Sequence, residues 1–175
     1  MGSNLIATPV DPASLPAVAG SYVLEFHLGA SIALRVGRLG TVLLGPGRIR
    51  YYGSARGPGG VRARVARHLR PAQRRQHWHV DALTRRVPVA RVAFTTTWIE
   101  CELLRDDLDS GRWQVPVTGF GSSDCRSCPA HLLASQGSRS SGRGKKGLDP
   151  VGPCGVVVED FKTAFTHLIV QPPFL

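Results

Sequence analysis

Short segments of alternating apolar and polar residues, separated by glycine- and proline-containing turns, fill the chain from residue 21 to residue 52. A period of two is typical of β-strands that bury one face. A turn such as the glycine–proline–glycine of residues 45–47 is suited to a hairpin, which favours antiparallel pairing. We therefore predict strands over residues 21–28, 32–36, 41–44 and 49–52.

The chain then changes to the period of a helix. Val61, Val65 and Leu69 lie on one helical stripe, and Pro71 cannot continue the helix. Farther along, the pattern predicts a short helix over residues 77–87, a strand over 89–98 and a helix over 99–111. This mixture of hairpins and helices indicates the α+β class.

The chain has 175 residues, which is the size of one domain. We place that domain at residues 20–133. Residues 1–19 contain prolines and little periodicity, so we expect a flexible leader there. Residues 134–153 form a basic low-complexity segment that we interpret as a linker, and residues 154–175 form a C-terminal extension.

The formal net charge of +10 is unevenly distributed. Between residues 26 and 80 there is no acidic residue, although arginines are frequent. A surface that served only solubility would mix its charges, so a polyanionic partner is favoured over a merely solvated face. The predicted nucleic-acid contacts are Arg48, Arg50, Arg56, Arg62, Arg67, Arg70, Arg74 and Arg75.

No apolar run is long enough to span a membrane, and the N-terminal residues do not resemble a secretory signal. We therefore expect a cytoplasmic protein whose 4 cysteines are reduced thiols. Cys125, Cys128 and His131 have spacings found in zinc sites. A structural Zn²⁺ is not expected there, because a regularly spaced fourth ligand is missing and Cys101 or Cys154 would have to come from far away.

Several ordered motifs carry a family resemblance. Gly20-Ser21-Tyr22 is followed by Tyr51-Tyr52-Gly53, an arginine-rich helix and a glutamate on a later helix, and this order resembles the GIY-YIG nuclease superfamily. The stretches "YYGSA", "GPGGVRARVARHLR", "HWHVDAL", "IECELL" and "GFGSSDC" are most similar to its small bacterial and archaeal members, some of which are fused to DNA-repair glycosylases. The resemblance covers residues 20–132.

The resemblance implies a small α+β domain with a central three-stranded antiparallel sheet flanked by helices. It also implies hydrolysis of phosphodiesters with one divalent ion, Mg²⁺ or Mn²⁺. Tyr22 and Tyr51 match the two motif tyrosines, Arg64 the helix arginine, His68 a histidine of some members, and Glu100 the metal-binding glutamate. The spacing between the tyrosine motifs is longer than usual, which predicts an extra hairpin.

The chemistry of these residue types supports the same roles. Arg64 and His68 lie one helical turn apart at the border of the apolar stripe, where Arg64 can bind a phosphate and His68 can transfer a proton. Tyrosines close to positive charge are expected to have a lowered pKa and to activate water. The alternatives are that the tyrosines are ordinary core residues and that His68 is a half-buried histidine.

Glu100 and Glu102 compete for the metal. On a helix, Glu100 lies at the border of the buried stripe and Glu102 nearly opposite, so Glu100 is preferred. His77 and Asp81 are also one turn apart, and they are predicted either to contact the site or only to surround a packed Trp78.

The sequence thus predicts a metal-dependent endonuclease that acts as a monomer or weak dimer, with DNA favoured over RNA and no membrane partner. Two alternatives stay open. One is a non-catalytic nucleic-acid-binding module on the same fold. The other is a zinc-stabilised RNA-binding protein in which the tyrosines stack on bases.

Overall fold

Two long antiparallel strands, β1 (Gly20–Leu28) and β4 (Gly47–Ala55), form the centre of the protein. The structure, a computed structural model, describes residues 11–70 and 77–136. Three further strands complete an antiparallel sheet of 5 strands in the order β5-β1-β4-β7-β6. Their bounds are Arg91–Thr95 for β5, Trp113–Gln114 for β6 and Leu132–Ser135 for β7.

The predicted α+β class is confirmed, but the sheet is larger than predicted. Strands β5, β1 and β4 correspond to the expected three-stranded sheet, and β7 and β6 extend it beyond β4. The predicted extra hairpin is present as a separate two-stranded sheet of β2 (Ile32–Val36) and β3 (Gly40–Leu44). Strand β7 ends at Ser135, slightly beyond the predicted domain end at residue 133.

Helices α1 (Gly60–Leu69) and α3 (Glu100–Asp109) pack on the five-stranded sheet, and α2 (His79–Thr84) packs against α1 and strand β2 of the hairpin. Within the two described ranges, no helix is both long and apolar enough to cross a lipid bilayer. The predicted C-terminal extension, Cys154 and nearly all of the predicted linker lie outside the described residues.

Strand alternation gives the sheet two buried faces with different roles. Tyr22 and Tyr51 belong to the larger core, together with Val61 of α1. Tyr52 and Leu103 belong to a second core against α3. Because successive side chains of a strand point to opposite faces, the adjacent tyrosines of β4 serve different halves of the molecule.

Part of the predicted flexible leader is ordered against α1, which corrects the expectation for residues 11–19. Leu15 is only 1% exposed. The carbonyl of Val18 accepts the backbone N–H of Val61 at 2.9 Å. Arg62, predicted to bind nucleic acid, is exposed, yet its Nε donates to the carbonyl of Leu15 at 2.6 Å. Residues 11–19 pack against the start of α1 because Leu15 is apolar and because the carbonyls of Leu15 and Val18 accept hydrogen bonds from the helix.

Arg50 is a structural residue, which corrects its predicted role in nucleic-acid binding. Its Nε lies 2.9 Å from Glu25 Oε2, and its Nη1 lies 2.9 Å from Asp107 Oδ2. The guanidinium carbon is 4.3 Å from the centroid of the Trp113 ring. The Tyr52 hydroxyl also donates to Asp107. This buried charge cluster fixes α3 to the sheet, because both acids need the arginine to compensate their burial.

Replacing Arg50 with alanine would leave Glu25 and Asp107 buried without their counter-charge. We expect Arg50→Ala to lower the free energy of unfolding by about 3–5 kcal/mol, as measured by urea denaturation followed by circular dichroism. The control is Arg48→Ala, two residues away and exposed, which should change it by less than about 0.5 kcal/mol. Equal effects of the two variants would contradict the structural role of Arg50.

Candidate active site

A cleft of about 410 Å³ brings together residues from the two central strands, the three α-helices and the loop before β7. Tyr22 of β1, Tyr51 of β4, Arg64 of α1 and Glu100 of α3 all line it. These are four of the five residues to which the sequence assigned a catalytic role. The rest of the wall comes from the end of β4, the start of α2 and the loop before β7, and it consists of Gly53, Ser54, His77, Trp78, His79, Gly121, Ser123, Asp124, Cys125 and His131.

The fifth predicted residue, His68, lies behind Tyr22 with its side chain fully buried. Its Nε2 is 2.8 Å from the Tyr22 hydroxyl. On the other side of the ring, Nδ1 faces Asp81 Oδ1 at 3.5 Å, a distance longer than a good hydrogen bond. The three side chains form a continuous path from the cleft into the interior.

Asp81 is held in place by the backbone at the start of α2. Its Oδ2 accepts the backbone N–H groups of His77 at 2.8 Å and Trp78 at 3.0 Å. Burial alone would raise the pKa of Asp81, but the His68 ring and these two N–H groups outweigh it and hold the pKa far below its usual range. Asp81 is therefore a fixed negative charge beside the histidine.

Burial keeps both cleft tyrosines neutral, which corrects the expectation that nearby positive charge lowers their pKa. Burial raises the pKa of Tyr22 well above its ordinary value, and Tyr51, Asp81 and Glu100 raise it further. Burial also raises the pKa of Tyr51. Arg64 lowers both pKa values but does not compensate. Tyr22 is thus a phenol, whose proton can be donated to His68 Nε2.

The glycine of the second motif provides space for the first tyrosine. Gly53 is paired with Tyr22 across strands β1 and β4. A Cβ atom at position 53 would lie 2.3 Å from Cζ of Tyr22, which is much closer than two nonbonded carbon atoms can approach. Tyr51 has a similar neighbour, because a Cβ at Gly121 would lie 2.9 Å from its Cε2. The two tyrosine rings therefore lie directly against backbone.

Trp78 orients two arginines, a role that sequence reasoning did not assign to it. The guanidinium carbon of Arg64 is 4.4 Å from the ring centroid, and that of Arg67 is 5.0 Å away. Arg67 also lies 3.8 Å from Asp81. Cation–π contact of this kind restrains an arginine without neutralising its charge. Arg67, predicted to bind nucleic acid, is half-buried in this packing.

Glu100 and Glu102 have different environments, as their positions on the helix predict. Glu102 is exposed, and its carboxylate accepts the backbone N–H of Ile99 at 3.1 Å, which caps α3. Glu100 is half-buried, and its Oε2 is buried without a hydrogen-bond partner among the described residues. A carboxylate oxygen in that state is costly unless a cation approaches it. It therefore fits a hard divalent ion such as Mg²⁺ or Mn²⁺.

The other arginines predicted to contact nucleic acid are placed at the surface or are not described. Arg48, Arg56 and Arg70 are exposed. Arg74 and Arg75 lie outside the described residues.

The connection of Asp81 to His68 was the part of the site that sequence reasoning missed. Asp81 is the first acid after the arginine-rich stretch, which was the available signal, but its distance to His68 depends on how α1 and α2 pack.

Comparison with known proteins places the chain in a family. The family described as "Domain of unknown function DUF123" matches residues 21–145. Because this match covers more than half of the 175 residues, the chain belongs to that family. No curated protein and no solved structure matches the chain. The function must accordingly be argued from the cleft itself.

The lowered pKa of Asp81 predicts a specific dependence of stability on pH. In the unfolded chain the carboxyl has a pKa near 3.9, so the folded state binds its proton less readily. Its stabilising contribution should be complete above about pH 5 and decline as the pH falls below about 4. The gap in the free energy of unfolding between wild type and Asp81→Asn should shrink over that range in urea titrations. Asp106→Asn, at an exposed site, should show no such gap, and a gap for Asp81→Asn that is constant with pH would contradict the assignment.

Proposed function

We propose that this member of the DUF123 family is a metal-dependent endonuclease that hydrolyses phosphodiester bonds, with DNA as the favoured substrate. The observation that carries the proposal is one cleft that combines a neutral tyrosine bonded to a buried histidine, an arginine and an unpartnered carboxylate oxygen. The ordered motifs that resemble the GIY-YIG nucleases support it and are the source of the preference for DNA.

Hydrolysis of a phosphodiester forms a bond from a water oxygen to phosphorus and breaks the bond to the leaving sugar oxygen. The attacking water must lose a proton in the process. In our proposal Tyr22 accepts that proton while its own moves to His68 Nε2, 2.8 Å away. Because burial disfavours a free phenolate, the two transfers are best made together. Asp81 stabilises the resulting imidazolium.

The remaining cleft residues act on the phosphate. Arg64 presents a forked donor that suits two phosphate oxygens, and Trp78 restrains its plane. Tyr51, as a neutral phenol, can donate a hydrogen bond to the same group. Glu100 would hold the divalent ion, which when bound supplies Lewis-acid stabilisation of the charge on the phosphoryl and leaving oxygens.

A non-catalytic nucleic-acid-binding module is the weaker alternative. Such a module needs only the exposed arginines, and a carboxylate such as Glu100 in the phosphate cleft would oppose its binding. A tyrosine stacking platform for RNA is weaker still, because Tyr22 is 2% exposed and Tyr51 is 7% exposed. Rings this deeply buried offer no face to a base.

We also propose that the protein is cytoplasmic, because thiols stay reduced in that compartment.

The roles of Glu100 and Arg64 can be tested in one cleavage assay. We expect Glu100→Gln and Arg64→Ala each to lower the rate about a hundredfold or more, since each removes a preorganised electrostatic group. The substrates are labelled single- and double-stranded DNA and RNA, with and without Mg²⁺ or Mn²⁺. Glu102→Gln is the matched control on the same helix and should cleave like wild type.

Binding measured in parallel separates catalysis from affinity. Glu100→Gln should bind nucleic acid as tightly as wild type or more tightly, because a repulsive carboxylate is gone. If wild-type protein binds but cleaves none of the substrates with metal present, the binding module replaces the nuclease. If Glu102→Gln abolishes cleavage while Glu100→Gln spares it, the metal-binding role of Glu100 is wrong.

The arginine-rich stretch predicts binding that weakens with salt. Each phosphate that an arginine neutralises should steepen the slope of log affinity against log salt by about 0.9 for duplex DNA. Arg56→Ala should therefore make the slope shallower by about one unit. Arg112→Ala, which removes an exposed arginine outside residues 26–80, should leave it unchanged. Affinity that is constant from low to moderate salt would exclude phosphate binding as its source.

A further inference from the structure

Three cysteines and one histidine converge at the cleft, and one of them, Cys101, is distant in sequence from the other three. Cys101 is the second residue of α3, Cys125 and Cys128 lie in the loop that follows β6, and His131 comes directly before β7. Their ligand atoms all lie within 4.8 Å of one another. No acidic residue belongs to this thiol–imidazole cluster, so its donor set is soft.

Two of the separations match those of ligands around one small tetrahedral ion. Cys101 Sγ lies 3.6 Å from Cys125 Sγ and 3.8 Å from His131 Nε2. With zinc–sulfur bonds of about 2.3 Å and a zinc–nitrogen bond of about 2.0 Å, a tetrahedron separates its ligand atoms by about 3.5–3.8 Å. A disulfide would need sulfurs at about 2.05 Å, and it would leave the third thiol and the imidazole unexplained.

The surrounding backbone and hydroxyl groups support such a site. The backbone N–H of His131 donates to the carbonyl of Phe120 at 2.7 Å, and its carbonyl accepts from Tyr52 at 3.0 Å. The backbone that carries the imidazole is therefore fixed between the loop at Phe120 and strand β4. Ser127 Oγ lies 3.4 Å from Cys125 Sγ and 3.9 Å from Cys101 Sγ. A hydroxyl in this position can donate to thiolates and moderate their mutual repulsion, as outer-shell donors do around bound metals.

We propose that Cys101, Cys125, Cys128 and His131 bind one Zn²⁺ ion as a structural site. Four protein ligands close the coordination sphere, which leaves no position for a substrate. The expectation that these thiols carry no zinc depended on a missing fourth ligand. The fold supplies that ligand from Cys101, one of the two distant candidates, which is 24 residues before Cys125 in the chain.

The site would connect two segments that line the cleft. Glu100 directly precedes Cys101, and Ser123, Asp124 and Cys125 line the same cleft. An ion bound at the thiol–imidazole cluster would fix the first turn of α3 to the loop and so set the position of the Glu100 carboxylate. The inference goes beyond the proposed nuclease and does not depend on it, because zinc content can be measured without any cleavage.

The test is the zinc content of the purified full-length chain, measured by mass spectrometry of the metal after gel filtration. We expect one zinc per chain in wild type and in Cys154→Ser, and its loss in Cys101→Ser and Cys125→Ser. Cys154 is the matched control, because the proposed site takes its three thiols from the other three of the 4 cysteines of the chain. Wild-type protein that takes up no zinc when refolded with excess Zn²⁺ would overturn the proposal, as would equal loss in Cys154→Ser.

Substitution by cobalt provides a test that does not require a ligand-deleted variant to fold. Wild type titrated with Co²⁺ should develop thiolate-to-cobalt charge-transfer and tetrahedral visible bands that saturate at one equivalent. His131→Cys should keep a four-coordinate site and bind zinc, whereas His131→Ala should bind it at least tenfold more weakly. Absence of the bands in folded wild type would overturn the proposal. Glu100→Gln should retain zinc even if it no longer cleaves, which separates the zinc site from the nuclease.

Discussion

The pairing of β1 with β4 is the constraint on which the rest of the structure depends. It runs from Gly20 opposite Ala55 to Leu28 opposite Gly47 without a bulge. Because side chains alternate between faces, this register puts Tyr22 and Tyr51 on the side of α1 and sends Tyr52 to the side of α3. A slip of one residue would exchange those faces and dismantle both cores at once.

The second core then determines where α3 begins. Arg50, Glu25 and Asp107 compensate one another's charge under the sheet, and Tyr52 joins them. With its last turn fixed in this way by Asp107, α3 presents its first turn at the rim of the cleft. The same turn carries a buried carboxylate oxygen and a thiol of the proposed zinc site, so packing on the α3 face of the sheet positions groups at the cleft.

Local sequence patterns predicted the structural features that depend only on residues close together in the chain. The bounds of β2 and the start of α1 follow from hydrophobic period, and the different environments of Glu100 and Glu102 follow from helical phase. The sequence could not reveal contacts that tertiary packing creates. Arg50 looks like any other arginine of a basic stretch until Glu25 and Asp107 are brought to it.

Short strands, and contacts between residues far apart in the chain, could not be predicted for the same physical reason. Strand β6 has two residues and β7 has four, too few to show a period. Leu15 is buried only because α1 accepts it. The approach of Asp81 to His68, and of Cys101 to Cys125, is likewise set by packing between helices and loops.

The contact between the Tyr22 ring and Gly53 joins the two tyrosine motifs. A side chain at position 53 would clash with the Tyr22 ring, and a smaller residue at position 22 would leave a void over Gly53, so the two positions are sterically coupled and a substitution at one requires a matching change at the other.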